Sequence, residues 1–254
     1  MKFKKICFVA SNEIKKSNVY NKLTDYYGNV EISDADVIVA LGGDGFMLRT
    51  LHSSISNDLP VYGMNYGTVG FLMNKLNTED LLSRLSISEV TNINPLVMTS
   101  FSASGEHNEA LAINEVSLIR SGSQAAKLKI IIDNKERMSE LVCDGALVST
   151  PAGSTAYNYS SHGPILPMDS GVLALTAMAA YRPRRWRGAV LPRDAIIEFN
   201  IINPDKRPVS AVADNYEVKN VIKVIVKTEN KITHSLLFDP GHSLKERLLK
   251  EQFS

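Results

Sequence analysis

A chain of 254 residues, 44% hydrophobic and 22% charged, has enough apolar mass for one large domain or two smaller ones. Its net charge of +1 excludes the broad excess of Lys and Arg that nucleic acid or an anionic membrane surface demands, so neither is expected as a partner. Two cysteines, Cys7 and Cys143, fit no zinc or redox spacing and read as buried thiols in a reducing compartment, which places the protein in the cytoplasm.

The chain opens on basic residues and a short apolar run. Ser11-Asn12-Glu13 ends that run before it reaches the roughly 7–15 residues of a secretory core, so Ile6–Ala10 reads as a first strand. Ser11 or Asn12 is expected to cap a helix running to about Tyr26. Residues 36–41 form a continuous β-branched run, the pattern of a strand covered on both faces. It ends in Gly42-Gly43-Asp44-Gly45, after which residues 46–51 take helical spacing. Residues 60–65 read as another buried strand closed by a glycine-rich turn, and 78–85 as a short helix. Strand, loop and helix alternate as in a parallel, Rossmann-like α/β domain.

Beyond about Asn94 short β runs take over, at 96–103, 116–119, 128–132, 146–149, 195–202 and 221–226. The apolar stretch 170–180 is expected to be helical; its apolar part falls short of the ~20 residues of a membrane span. Ser243-Leu-Lys-Glu246 is a capping box opening a helix over 244–253. The expected division is an α/β domain over 1–94, joined by a C-terminal helix within 240–254, and a mostly-β domain over 95–239.

Gly42-Gly43-Asp44-Gly45 carries the clearest chemistry. Glycines between a buried strand and a helix let backbone N–H groups approach phosphate, and the helix N-terminus adds positive potential. A lone carboxylate there repels phosphate. It makes sense as an acceptor for the proton of an attacking hydroxyl, or where Mg²⁺ lies between it and phosphate. A tight turn whose Asp merely caps the helix is the plainer alternative. In Asn65-Tyr-Gly67-Thr-Val-Gly70-Phe71-Leu72 the glycines again follow a strand, at the ligand-binding edge of an open sheet; Phe71 suits either a base or the core. Asn114-Glu115 pairs an amide with a carboxylate, suited to ribose hydroxyls and a base edge. Residues 143–160 run from a strand into Pro151-Ala152-Gly153-Ser154-Thr155-Ala156-Tyr157-Asn158-Tyr159-Ser160, a density of small and polar groups that a structural turn does not require. The basic run Tyr181-Arg182-Pro-Arg184-Arg185-Trp186-Arg187 suits a triphosphate clamp or a subunit contact. His52, His107, His162, His234 and His242 have no ligand spacing, and no protein-bound metal site is expected.

In this order and spacing, the motifs resemble the NAD kinase family. The likeness rests on Gly42-Gly-Asp-Gly45, Gly67-Thr-Val-Gly-Phe-Leu72, Asn114-Glu115, Asp144-Gly145, Pro151-Ala-Gly-Ser-Thr-Ala-Tyr157, Gly163-Pro-Ile165, Leu191-Pro192 and Asp214. It implies phosphorylation of the adenosine-ribose 2′-hydroxyl of NAD to NADP, with ATP or another donor carrying Mg²⁺, by a homo-oligomer (dimer or tetramer). It implies that Asp44 is the general base and that Gly42, Gly43, Asp44 and Gly45 form the phosphate loop. The further NAD-binding residues implied are Gly45, Arg49, Phe71, Asn114, Glu115, Asp144, Ala152, Thr155, Ala156, Tyr157, Asn158, Tyr159, Ser160, Ala179 from across the subunit contact, and Asn215. Phe46, Ala152 and Asn215 depart from the residues common in the family. Lipid or sugar kinases with a related Gly-Gly-Asp loop, and a non-catalytic NAD-sensing module, remain the alternatives.

Overall fold

The structure is a computed structural model and describes residues 3–67 and 70–253. The chain divides into two compact units, Met1–Ile93 with Ile232–Ser254, and Asn94–Lys231.

In the first unit, strands β1 (Ile6–Ala10), β2 (Val37–Gly42) and β3 (Val61–Asn65) pair in parallel. All of β2 and β3 is buried, because crossover helices force a parallel sheet to be covered on its faces. Helix α1 (Asn18–Tyr27) joins β1 to β2, and α2 (Asp44–Ser53) joins β2 to β3. The cap of α1 is Ser17, whose hydroxyl accepts the Tyr20 N–H at 3.3 Å. Ser11, expected to cap it, closes only a 3-10 turn at Ile14–Lys16. The short strand β4 (Asn74–Lys75) runs beside β3. Helix α3 (Leu81–Ile87) begins after Asp80, whose left-handed backbone (φ 53°) stops helix from extending back to residue 78. Strand β5 (Glu89–Ile93) ends this stretch.

The second unit is a sandwich of two antiparallel sheets. One runs, in spatial order, β10 (Lys135–Cys143), β9 (Ala126–Ile132), β14 (Ile197–Ile201), β17 (Val221–Thr228), β6 (Leu96–Ser102) and β7 (His107–Ala112). The other runs β13 (Gly188–Pro192), β12 (Val172–Met178), β11 (Gly145–Ser149), β8 (Glu115–Arg120), β15 (Val209–Ala213) and β16 (Tyr216–Val218). Their inner faces share one core, in which Leu118, Val148 and Leu175 meet Leu128, Phe199 and Val224. The stretch 170–180, expected as helix, is β12. Its Ala, Leu and Met favour a helix locally, but pairing with β11 and β13 on either side decides the outcome. One turn of helix, α4 (Tyr157–Ser160), follows the Pro151 turn.

The chain then returns to the first unit. Strand β18 (His234–Phe238) enters the first sheet, parallel to β3 and antiparallel to β5. The division is therefore not at residue 239: the return begins at Ile232 and includes a strand as well as the expected helix, α5 (Leu244–Glu251). Ser243 caps α5 by accepting the Glu246 N–H at 3.5 Å. Asn74, fully buried, stitches the return strand in place. Its amide donates to the carbonyls of Gly63 (3.1 Å) and Leu237 (2.9 Å), and its Oδ1 accepts the Asp239 N–H (2.9 Å). Asn74→Leu would strand these groups, at about 1–3 kcal/mol for each left unsatisfied. A lower urea midpoint at unchanged slope is expected for this variant, measured by equilibrium unfolding.

Candidate active site

Asp44 is the first residue of α2, immediately beyond the carboxyl end of β2, where open α/β sheets hold their ligands. Its partly exposed carboxylate is held by two backbone donors, Phe71 N–H on Oδ2 at 2.7 Å and Leu72 N–H on Oδ1 at 3.0 Å. Gly70 allows this contact, since a Cβ there would stand 2.2 Å from Oδ1. Gly42 is likewise required by packing, because its Cβ would meet that of Phe46 at 2.6 Å.

Gly43 and Gly45 differ from both. A Cβ on Gly43 would meet nothing within 4 Å, and one on Gly45 only the Arg49 guanidinium at 4.0 Å. The backbone at Gly43 is extended (φ −116°), open to any residue, and Gly45 lies within a helix, where glycine costs ~0.5–1 kcal/mol relative to Ala. Among the described residues, packing gives no reason for either glycine. Space for a bulky anion against the first N–H groups of α2 does. Arg49, exposed and one turn on, spreads its guanidinium 5.6 Å over the Phe46 ring on the same helix.

The turn that grips Asp44 is itself held from behind. Arg247 of α5 donates to the carbonyls of Gly70, Phe71 and Met73. Phe71 is half-buried and, with Arg247, lines a cavity of about 850 Å³ that also includes Lys75, Arg84, His242 and Lys250. Sequence reading passed over Arg247, for which the capping box of its helix is the only local sign. Thr68 and Val69 of the glycine-rich turn lie outside the described residues.

In the second unit the predicted residues converge on the start of β8. Asp214, at the end of β15, accepts the N–H groups of Ile113 (2.8 Å), Asn114 (2.9 Å) and Glu115 (3.4 Å). The Pro151 turn presses on the same peptide. A Cβ on Gly153 would stand 2.3 Å from the Asn114 carbonyl oxygen, and Thr150 bonds the carbonyls of Ile113 and Asn114. Glu115 is buried and one of its oxygens has no hydrogen-bond partner. Burial, with the charge of Asp214 adding to it, pushes its carboxyl up to about 8 against the opposing Tyr157 N–H. That shift favours the neutral, protonated carboxyl at neutral pH.

Thr155 and Ala156 are half-buried, and Tyr157, Tyr159 and Ser160 are exposed. Asn158 is fully buried: it donates to the carbonyls of Ser154 and Pro164 and accepts from the Thr176 hydroxyl, bonds that brace the loop. Ala152 is buried too. Asp144 is exposed and pairs with Arg120 at 2.7 Å. Asn215 is exposed, and so is Ala179, whose left-handed backbone (φ 48°) is uncommon for a residue with a side chain.

A glycine-flanked carboxylate at the start of a helix, on an α/β unit followed by a β-sandwich, is the arrangement of a nucleotide-dependent phosphotransferase. The sequence matches the ATP-NAD kinase N-terminal domain over residues 4–86 and the ATP-NAD kinase C-terminal domain over residues 113–232. It is 58% identical over 249 residues to an NAD kinase of Cereibacter sphaeroides, covering 98% of both chains. It is 53% identical over 250 residues to the NAD kinase of Caulobacter vibrioides, covering 98% of this chain and 96% of that one. The fold is similar to that of yeast NADH kinase complexed with NADH (TM-score 0.81, 18% identity, 100% and 88% of the two chains). It is also similar to that of an Archaeoglobus fulgidus NAD kinase in complex with ATP (TM-score 0.74, 23% identity, 96% and 99%). The chain belongs to the NAD kinase family and is an enzyme of that activity, so the lipid-kinase, sugar-kinase and sensor alternatives fall away.

Two results test the site. Gly45→Ala is expected to leave the melting temperature unchanged or raised while KM for the phosphoryl donor increases, whereas Gly70→Ala, which clashes with Asp44, loses stability and turnover together. For Glu115 the folded-state pKa lies above the ordinary carboxyl value of 4.5, so stability is fully present below about 4.5 and declines as pH rises toward about 8. The effect is on the order of 5 kcal/mol. Glu115→Gln, neutral throughout, should remove that decline from the pH profile of unfolding free energy.

Proposed function

We propose that Asp44 accepts the proton of the adenosine-ribose 2′-hydroxyl of NAD as that oxygen attacks the terminal phosphorus of ATP. A new oxygen–phosphorus bond gives NADP, the old bridging bond breaks, and the products leave as NADP and ADP. The carrying observation is a half-exposed carboxylate flanked by Gly43 and Gly45, whose missing side chains no contact among the described residues requires. The Archaeoglobus fulgidus structure with ATP and the yeast structure with NADH support the choice of donor and acceptor.

Each Asp44 oxygen accepts one backbone N–H and retains lone-pair capacity for another partner. That capacity suits a substrate hydroxyl. It also suits a hard divalent cation whose other ligands are water and phosphate oxygens, and among the described residues no group of three or more His, Cys, Asp or Glu side chains competes for such an ion. Magnesium borne by the triphosphate would neutralise phosphate charge. The protein supplies the N–H groups at the start of α2 and the Arg49 guanidinium to position that anion. Asn114 and Glu115 hold adenine and ribose groups, Phe71 lies against the base, and Asp144 faces the nicotinamide half. Thr155, Ala156, Tyr157, Tyr159 and Ser160 line the dinucleotide, and Asn215 adds a polar group. We place the enzyme in the cytoplasm as a homo-oligomer. Its two buried free thiols support the reducing compartment, and exposed Ala179 and Tyr181 support a subunit contact.

Asp44→Asn tests the assignment. The amide oxygen replaces only one of two acceptors for the Phe71 and Leu72 N–H groups, so a melting temperature lower by a few degrees is expected. NADP formation, followed spectrophotometrically, should fall by about 10²–10⁴-fold in kcat. Turnover close to that of the unaltered enzyme would sink the role given to Asp44.

A further inference from the structure

The Arg247 guanidinium and the Asp44 carboxylate grip the same two peptide groups from opposite sides. Arg247 Nη1 donates to the carbonyl oxygens of Gly70 (2.9 Å) and Phe71 (3.0 Å). The N–H groups belonging to those same peptide units are those of Phe71 and Leu72, and they donate to Asp44. A trans peptide is planar, with C=O and N–H pointing in opposite directions, so pinning the oxygen aims the hydrogen. A cation on the carbonyl side also polarises the unit and strengthens its N–H as a donor.

The guanidinium is fixed in its turn. Its Nε donates to the His242 carbonyl at 2.9 Å, its carbon lies 5.1 Å over the Phe238 ring at the end of β18, and Nη1 reaches Met73 O as well. Burial lowers its pKa, and the negative charge of Asp44 acts against that fall. No other side chain is found to link α5 to the catalytic turn by so many bonds among the described residues.

We propose that Arg247 is a positioning residue for phosphoryl transfer: by holding the Gly70 and Phe71 carbonyls it sets the orientation of the Asp44 carboxylate toward the attacking hydroxyl. The inference rests on the reading of Asp44 as the base. Lysine cannot replace it, because a single ammonium on a flexible stem does not present the rigid fork that reaches His242 on one side and the turn on the other.

The test is a double-mutant cycle with the full chain. Arg247→Met and Arg247→Lys are made alone and on Asp44→Asn, with kcat and KM for NAD measured beside the melting temperature. A loss of orientation at the base should lower kcat by about 10–100-fold in the Met variant while KM for NAD changes little. In the Asp44→Asn background the same change should lower the residual kcat no further, because the side chain that Arg247 orients is no longer a base. Ethylguanidinium added to Arg247→Ala should restore part of kcat, which a general loss of folding would not allow. The proposal is overturned if Arg247→Met turns over normally, or if it loses the same factor in both backgrounds. Should the Met variant not fold, Arg247→Lys and the rescue of Arg247→Ala decide the matter by the same criteria. Full activity in Asp44→Asn alone would instead defeat the base assignment, whereas an inactive Asp44→Asn beside a normal Arg247→Met would defeat only the positioning role.

Discussion

Two N–H groups from one turn, donated to one carboxylate, set the conditions for the rest of the first unit. The Asp44 side chain reaches them only because Gly70 has no Cβ, and its backbone is placed by β2 ending at Gly42, itself glycine so that Phe46 can fold back onto it. A carboxylate at the start of a helix is favoured by the helix dipole as well, so charge and hydrogen bonding agree. Orientation of the acid thus comes from the backbone, which is stiffer than a second side chain would be.

The second unit uses the same device for a different purpose. Asp214 takes three consecutive N–H groups, 113 to 115, and thereby shapes the segment that presents Asn114 and Glu115. Glu115 itself is the contrasting case. Buried with one opposing N–H and with Asp214 nearby, it holds its proton to about pH 8. Two neighbouring acids take opposite roles because one is offered donors and the other is desolvated. The Pro151 turn closes on the same peptide through Thr150 and Gly153, so motifs nearly forty residues apart in sequence share one wall.

Much of this was legible from local signals. The β-branched run at 36–41 announced a covered strand, and the glycines around Asp44 announced a turn opening a helix, since both follow from steric rules acting over a few residues. Other elements gave no such sign. Strand β10 carries five charged or polar residues among its nine and buries only its last three, so an apolar scan passes over it. Asn158 sits among hydroxyls along the chain, and one of its three bonds, from the Thr176 hydroxyl, depends on β12, which local propensity would have made a helix.

The sequence by itself determined the family, the α/β-then-β order of the chain, and the glycine-flanked Asp44 at the start of a helix. Each of these is encoded in residues adjacent along the chain, where spacing and side-chain volume suffice. Tertiary structure alone decided that β18 completes the first sheet, that Gly42 and Gly70 serve packing while Gly43 and Gly45 serve open space, and that Arg247 stands behind the turn that holds Asp44. Those facts join residues as far apart as 70 and 247. No local pattern encodes such a pairing, because the energy that selects it comes from burying β18 and α5 against the rest of the unit.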